Sequence, residues 1–196
     1  MMKNIFTLVF CCVAFTTLAT PGYKNRQESC PKFYIGLSTG INNQSGFLGV
    51  NFDIPVTTQF SLGTGAGLSS WGYKTYGEGR FYFKECNRGW ALGAGATYNT
   101  GFKDFAFDMP TTIGTTEVLL DLEPSANVMF SAYHFFNLGR GGHRFYLQLG
   151  WSQPLNNTPY TIKSGHTLTA DGETAMNWVA PGGLIFAFGF SFGLGK

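Results

Sequence analysis

The sequence predicts an all-β protein, an eight-stranded antiparallel up-and-down transmembrane β-barrel, and three observations lead there. Large apolar residues recur at every second position in eight stretches, the period of strands and not of helices. The positions between them hold mainly glycine, serine and small polar residues, and the charges inside the stretches fall on that same side. Only 12% of the 196 residues are charged while 17% are aromatic, with 20 phenylalanines and 27 glycines. A soluble domain carries about 25% charged residues, so an ordinary water-facing surface is not expected. Disorder is excluded by a 44% hydrophobic content and a net charge of only +2. The same near-neutral balance supplies no basic field for nucleic acid.

The elements follow in chain order. Lys3 is the only charge before an apolar stretch, Ile5 to Ala19, and Leu18-Ala19-Thr20 offers small residues at its exit. These are the parts of a secretory signal peptide, expected over residues 1–20 and expected to be cleaved. A spanning helix would need about 20 apolar residues. Residues 21–32 are then a periplasmic N-terminal segment and residues 33–196 the barrel.

In the first strand Phe33, Ile35, Leu37 and Ile41 oppose Tyr34, Gly36, Ser38 and Gly40. In the second, Leu48, Val50, Phe52 and Ile54 oppose Gly49, Asn51 and Asp53, and in the third, Phe60, Leu62, Ala66 and Leu68 oppose Ser61, Gly63, Gly65 and Gly67. The fourth sets Phe81 and Phe83 against Glu78, Arg80 and Tyr82, and the fifth sets Trp90, Leu92 and Tyr98 against Ala91, Gly93, Gly95 and Thr97. The sixth runs from Val118 through Leu120, Leu122, Ala126 and Val128 to Phe130, with Asp121, Glu123, Ser125 and Asn127 opposite. Pro124 lies within it and cannot donate to a ladder, so a bulge or an interruption is expected there. The seventh sets Phe145, Leu147, Leu149 and Trp151 against Arg144, Tyr146, Gln148 and Gly150. The eighth sets Leu184, Phe186, Phe188, Phe190, Phe192 and Leu194 against Ile185, Ala187, Gly189, Ser191 and Gly193.

Volume decides which side faces out. An eight-stranded barrel is only just wide enough for side chains to fill it, and about five large apolar groups per strand do not fit there. Placed outward they form a lipid-facing band. An unpaired charge on that band would cost about 2–4 kcal/mol at the bilayer midplane, which agrees with Asp53, Glu78, Arg80, Asp121, Glu123 and Arg144 taking the opposite parity. Short connections near residues 53–57, 84–89 and 137–142 alternate with longer ones over 42–46, 70–76, 101–116 and 153–177, the asymmetry of outer-membrane barrels. Trp71, Tyr98, Trp151 and Trp178 are expected in an outer aromatic girdle, and Trp90 and Phe33 in an inner one.

The run from Gly49 through Asp53-Ile54-Pro55 to Gly65, together with Tyr133 to Gly139 and the final alternating Phe strand, resembles the small OmpA/OmpX-like outer-membrane β-barrel family. The resemblance covers most of the chain beyond the leader. It implies an eight-stranded barrel in the bacterial outer membrane, in a family whose members serve adhesion, envelope integrity, narrow pores and, rarely, lipid enzymology.

Few residues suggest chemistry. Cys30 and Cys86 both map to the periplasmic side, in a compartment that oxidises thiols. A bridge between them is one expectation, and two separate thiols are the other, because strands one and four lie across the barrel and a disulfide needs Cα atoms within about 7 Å. The interior charges are expected to pair into a structural network, with a gate or a proton path as alternatives, since isolated burial is costly. Ser164, His166 and Asp171 share one long loop, but catalysis needs a rigid support that loops supply poorly. No His, Cys or carboxylate set has metal-site spacing, and the glycines of 63–67 precede no helix and so form no phosphate loop. The expected function is non-enzymatic, envelope-structural or surface-binding through the extracellular loops. A narrow porin or transport barrel is the first alternative and a lipid-modifying enzyme the second. No cofactor is expected. The expected partners are outer-membrane lipid and an extracellular or envelope molecule, with no nucleic acid. The loop over 153–177 is the foremost carrier of a specific role, and the more apolar loop over 101–116, with Phe102, Phe105, Phe107 and Met109, is a candidate for lipid or partner contact.

Overall fold

The computed structural model describes residues 30–138, 142–156, 160–165 and 167–195. The expected leader and residues 21–29 lie outside the described residues. Strands β1 (Phe33–Ile41), β2 (Leu48–Pro55), β3 (Phe60–Ser69), β4 (Gly72–Lys84) and β5 (Arg88–Asn99) run up and down. The chain then departs into β6 (Phe102–Thr111) and β7 (Gly114–Leu122) and returns as β8 (Ser125–Leu138) and β9 (His143–Pro154). It departs again through β10 (Tyr160–Ile162) and helix α1 (Ala170–Val179) before closing with β11 (Gly183–Leu194). Eight strands form a closed barrel in the order β1-β11-β9-β8-β5-β4-β3-β2, and β10-β7-β6 form a separate three-stranded sheet. Every barrel pairing is antiparallel, so the fold is the all-β eight-stranded barrel the periodicity predicts.

The orientation of the pleat is clearest in β11. Leu184, Phe186, Phe188, Phe192 and Leu194 are exposed on the outer surface, while Ile185, Ala187 and Ser191 are buried inside. The glycines on the inner parity make room for large inward residues. Gly189 pairs with Tyr146, and a Cβ there would lie 2.5 Å from Tyr146 Cζ. At Gly93 an added Cβ would collide with the Glu78 carboxylate.

The predicted sixth strand is corrected by the structure. Its two halves are different strands, β7 and β8, broken at Glu123-Pro124 where the proline supplies no ladder donor. β8 enters the barrel between β5 and β9, whereas β7 lies outside it between β6 and β10. Val118, Leu120 and Leu122 are therefore buried and not on the outer wall of the barrel. With Met109, Leu168, Met176 and Trp71 they form a second small core between the extra sheet and α1. The span over 101–116 is accordingly the β6–β7 hairpin for most of its length, and the span over 153–177 contains β10 and most of α1.

The sheet and helix together make a head on one end of the barrel. Thr169 caps α1 by accepting from Gly172 N at 3.3 Å, with Asp171 and Glu173 in the first turn where the helix dipole favours acid. In β6 the register slips between Phe102 and Phe105, and Asp104 adopts a positive φ of 54°. That bulge brings Phe102 onto the same face as Phe105 and Phe107. Their rings stack at successive centroid distances of 6.2 Å and are exposed.

Candidate functional site

The barrel interior is lined by buried polar, charged and aromatic side chains. Asp53 on β2, Glu78 and Arg80 on β4, and Arg144 on β9 all point inward and meet inside the barrel. Asp53 Oδ2 accepts from Arg80 Nη1 at 3.3 Å, from Tyr82 Oη at 3.0 Å and from Arg144 Nη2. Arg80 Nε donates to Glu78 Oε2 at 2.8 Å. Two carboxylates thus balance two guanidiniums, which a poorly hydrated space requires. The guanidiniums also lie over rings: Arg144 is 3.6 Å from the Tyr34 centroid and 4.3 Å from that of Phe135, and Arg80 is 4.7 Å from Tyr133.

Above this set a second layer closes the section. The Tyr133 hydroxyl is shared between Glu78 Oε2 at 2.8 Å and Gln44 Oε1 at 2.5 Å. Gln44 Nε2 donates to Tyr76 Oη at 3.2 Å, and Tyr76 Oη donates to Asn51 Oδ1 at 3.1 Å. Gln148 Nε2 reaches Ser131 Oγ at 2.9 Å. Gln44 belongs to the β1–β2 connection, whose residues Asn43, Gln44 and Ser45 are wholly buried, so this loop folds into the mouth as a stopper.

Sequence reasoning missed Gln44, Tyr76 and Tyr133. The two tyrosines were accessible in principle, because each continues the inward parity of Glu78 and Met129 once β4 and β8 are given their full lengths. No pattern marks Gln44, since a loop has no period.

Two of the predicted lumen charges are corrected. Asp121 lies on β7 in the head, and Glu123 is exposed between β7 and β8. Both were assigned inward by a parity that the break at Pro124 interrupts. Asp121 instead accepts from Asp104 N at 2.9 Å and from Lys163 Nζ at 3.0 Å, and Lys163 also bridges Asp104 at 2.7 Å. The Asp104 amide, helped by Lys163, holds the Asp121 carboxyl below the usual 3.8. Asp104 and Asp121 together raise Lys163 above 10.5.

Cys30 and Cys86 form a disulfide with Cα atoms 5.0 Å apart. The segment ahead of β1 therefore crosses to the β4–β5 turn, at the end of the barrel opposite the head. Of the expected girdle, Tyr98 and Trp151 are exposed on the barrel wall toward the head, and Trp90 and Phe33 lie toward the other end. Trp178 is exposed but sits on α1. Trp71 is a correction: it is only 1% exposed, because it packs into the head core. Its indole Nε1 finds a backbone acceptor there, as a buried Trp must. Ser164 follows β10 and Asp171 opens α1, while His166 lies outside the described residues.

Fold and site define a class: a closed eight-stranded barrel with a charge-balanced interior cluster, a stopper loop and a small sheet-and-helix head. No family model, no curated protein and no solved structure matches this chain.

Proposed function

We propose that this chain is a non-enzymatic outer-membrane β-barrel that anchors its head at the bacterial cell surface, where the head contacts an extracellular or envelope partner. The observation that carries this reading is the apolar outer wall, with Leu37, Val50, Leu62, Phe81, Leu92, Phe130, Leu149 and Phe186 exposed on eight successive strands. In water that wall would be an aggregation surface, whereas in a bilayer it is the solvent-matched face. Closure satisfies every strand edge, which hydrocarbon demands. The reading includes export by the expected leader and the OmpA/OmpX-like resemblance of the strand sequences.

Anchoring and contact are favoured over transport by the stacked Arg, Tyr and Gln layers, which leave the cross-section to side chains. The exposed Phe102, Phe105 and Phe107 row supports a contact role for the head. Membrane fractionation with a heat-modifiable gel shift tests the placement: the protein should be found in the outer membrane and migrate faster before boiling than after. Planar-bilayer recording should give a flat baseline. A freely soluble mature chain would overturn the membrane reading, and stepwise conductance would replace the anchor by the pore.

A further inference from the structure

Between the stopper loop, the β3–β4 turn and the end of α1 lies a cavity of about 480 Å³ at the head end of the barrel. Lys74 and Asn99 line it, and they are cross-strand partners on β4 and β5 with both side chains on the inward parity. Lys74 is 3% exposed, yet among the described residues its ammonium has no carboxylate partner. It donates only to the Asn42 carbonyl, at 3.3 Å. An ammonium carries three donors, so this one is under-used. Asn99, 1% exposed, accepts from Ser69 Oγ through Oδ1 at 3.2 Å, and its Nδ2 has no acceptor. Asn43 lines the same cavity, and its Oδ1 is buried without a donor.

The unfilled groups are thus a cation, an amide donor and one acceptor. Together they complement an anionic oxygen group that also carries a hydroxyl. The interior cluster of the barrel balances its charges one for one, and Lys74 stands outside that balance. Asn42, Ser69 and Ser70 add polar lining, and the outer side of the cavity is apolar and continuous with the outer wall: Ile41 and Leu68 belong to the lipid-facing parity, and Trp178, 84% exposed, overhangs it from α1.

We propose that this cavity binds an anionic amphiphile, its phosphate monoester head held by Lys74 and Asn99 and its apolar chain laid over Ile41, Leu68 and Trp178. The polar half of the site stands on the cavity alone, and the apolar half rests on the membrane reading above. A polar head without a chain would leave the apolar wall uncovered, and a neutral chain would leave Lys74 uncompensated.

The test uses the full mature chain in phosphatidylcholine nanodiscs, with labelled dodecyl phosphate as the probe and empty nanodiscs subtracted. Saturable binding near one probe per chain is expected. Lys74→Met should weaken it at least ten-fold. Asn99→Asp, which offers Lys74 an internal carboxylate at nearly constant volume, should do the same, and Trp178→Ala should weaken it less. The heat-modifiable band of each variant separates loss of the barrel from loss of the site. Unchanged affinity in folded Asn99→Asp would overturn the head-group assignment. Displacement by dodecanol, or by inorganic phosphate at the same concentration, as effective as unlabelled dodecyl phosphate would overturn the amphiphile.

Discussion

The indole Nε1 of Trp71 donates to the carbonyl of Glu123 at 2.9 Å, joining the tight β3–β4 turn of the barrel to the point where the chain re-enters from the head. Trp71 is also the only barrel-turn side chain in the buried cluster that β7 and α1 share among the described residues. The head is therefore held to the barrel by packing around one ring as well as by its covalent connections.

Trp71→Ala should destabilise the head by about 3–5 kcal/mol, the usual range for deleting a buried aromatic. Trp71→Phe, which keeps most of the packing and loses the hydrogen bond, should cost less. Hydrogen exchange should report faster opening of the β7 amides in both, with the barrel amides and the unboiled gel band unchanged. Equal loss of protection in β11 would mean that head and barrel open as one unit.

Asp53 is the shared acceptor of Arg80, Arg144 and Tyr82. Asp53→Ala strands the buried Arg144 guanidinium and leaves Arg80 with Glu78 alone, and breaking a buried ion set in this way typically costs about 3–5 kcal/mol. The double variant Asp53→Ala with Arg144→Met should be more stable than Asp53→Ala alone, because it removes a stranded cation as well. Urea midpoints of the vesicle-bound protein, read by the heat-modifiable band, measure both. Additive losses would show that the two residues do not act as a pair.

The Cys30–Cys86 bridge spans 56 residues of sequence. A cross-link over such a loop restricts the unfolded chain and should contribute about 2–4 kcal/mol. Mass spectrometry without reductant should find no alkylatable thiol at either position in the protein purified under oxidising conditions. A reductant, or Cys86→Ser, should lower the urea midpoint; two free thiols in the oxidised preparation would contradict the bridge.

In the head, Asp121 is shifted down from 3.8 and Lys163 up from 10.5, each first by Asp104 and then by their mutual contact. The lowered carboxyl contributes stability above its unfolded value, and that contribution disappears as pH falls through the lower folded value. The raised ammonium contributes fully below 10.5 and loses its share as pH climbs through the higher folded value. Head stability should accordingly be level across neutral pH and fall at both extremes. Lys163→Ala should flatten the acid limb, by hydrogen exchange of β6 and β7 amides, with a small effect because the pair is partly exposed. An unchanged acid limb would assign it to other carboxylates.

Much of the barrel was legible because a pleated strand writes its two environments into alternate residues. Asp53, Glu78, Arg80 and Arg144 share the inward parity, and they converge. Asp121 and Glu123 failed under the same rule. An apolar residue at every second position looks identical whether the covering phase is hydrocarbon or protein, so Val118, Leu120 and Leu122 read as lipid-facing when they cover Met176 and Trp71. Pro124 was the visible warning, since a residue without an N–H interrupts a ladder.

By itself the amino-acid order determined the class of fold, the outward side of most barrel strands and the need for its interior charges to pair. Those follow from local period and from the cost of a bare charge in oil or in a narrow core, and neither depends on which strand lies beside which. Only the tertiary structure decided that Cys30 reaches Cys86, that Gln44 stops the mouth and that Lys74 meets Asn99 without a counter-charge. These relationships join residues far apart in the chain. They are set by closure of the sheet and by where the loops fold back, and closure is a property of all eight strands together.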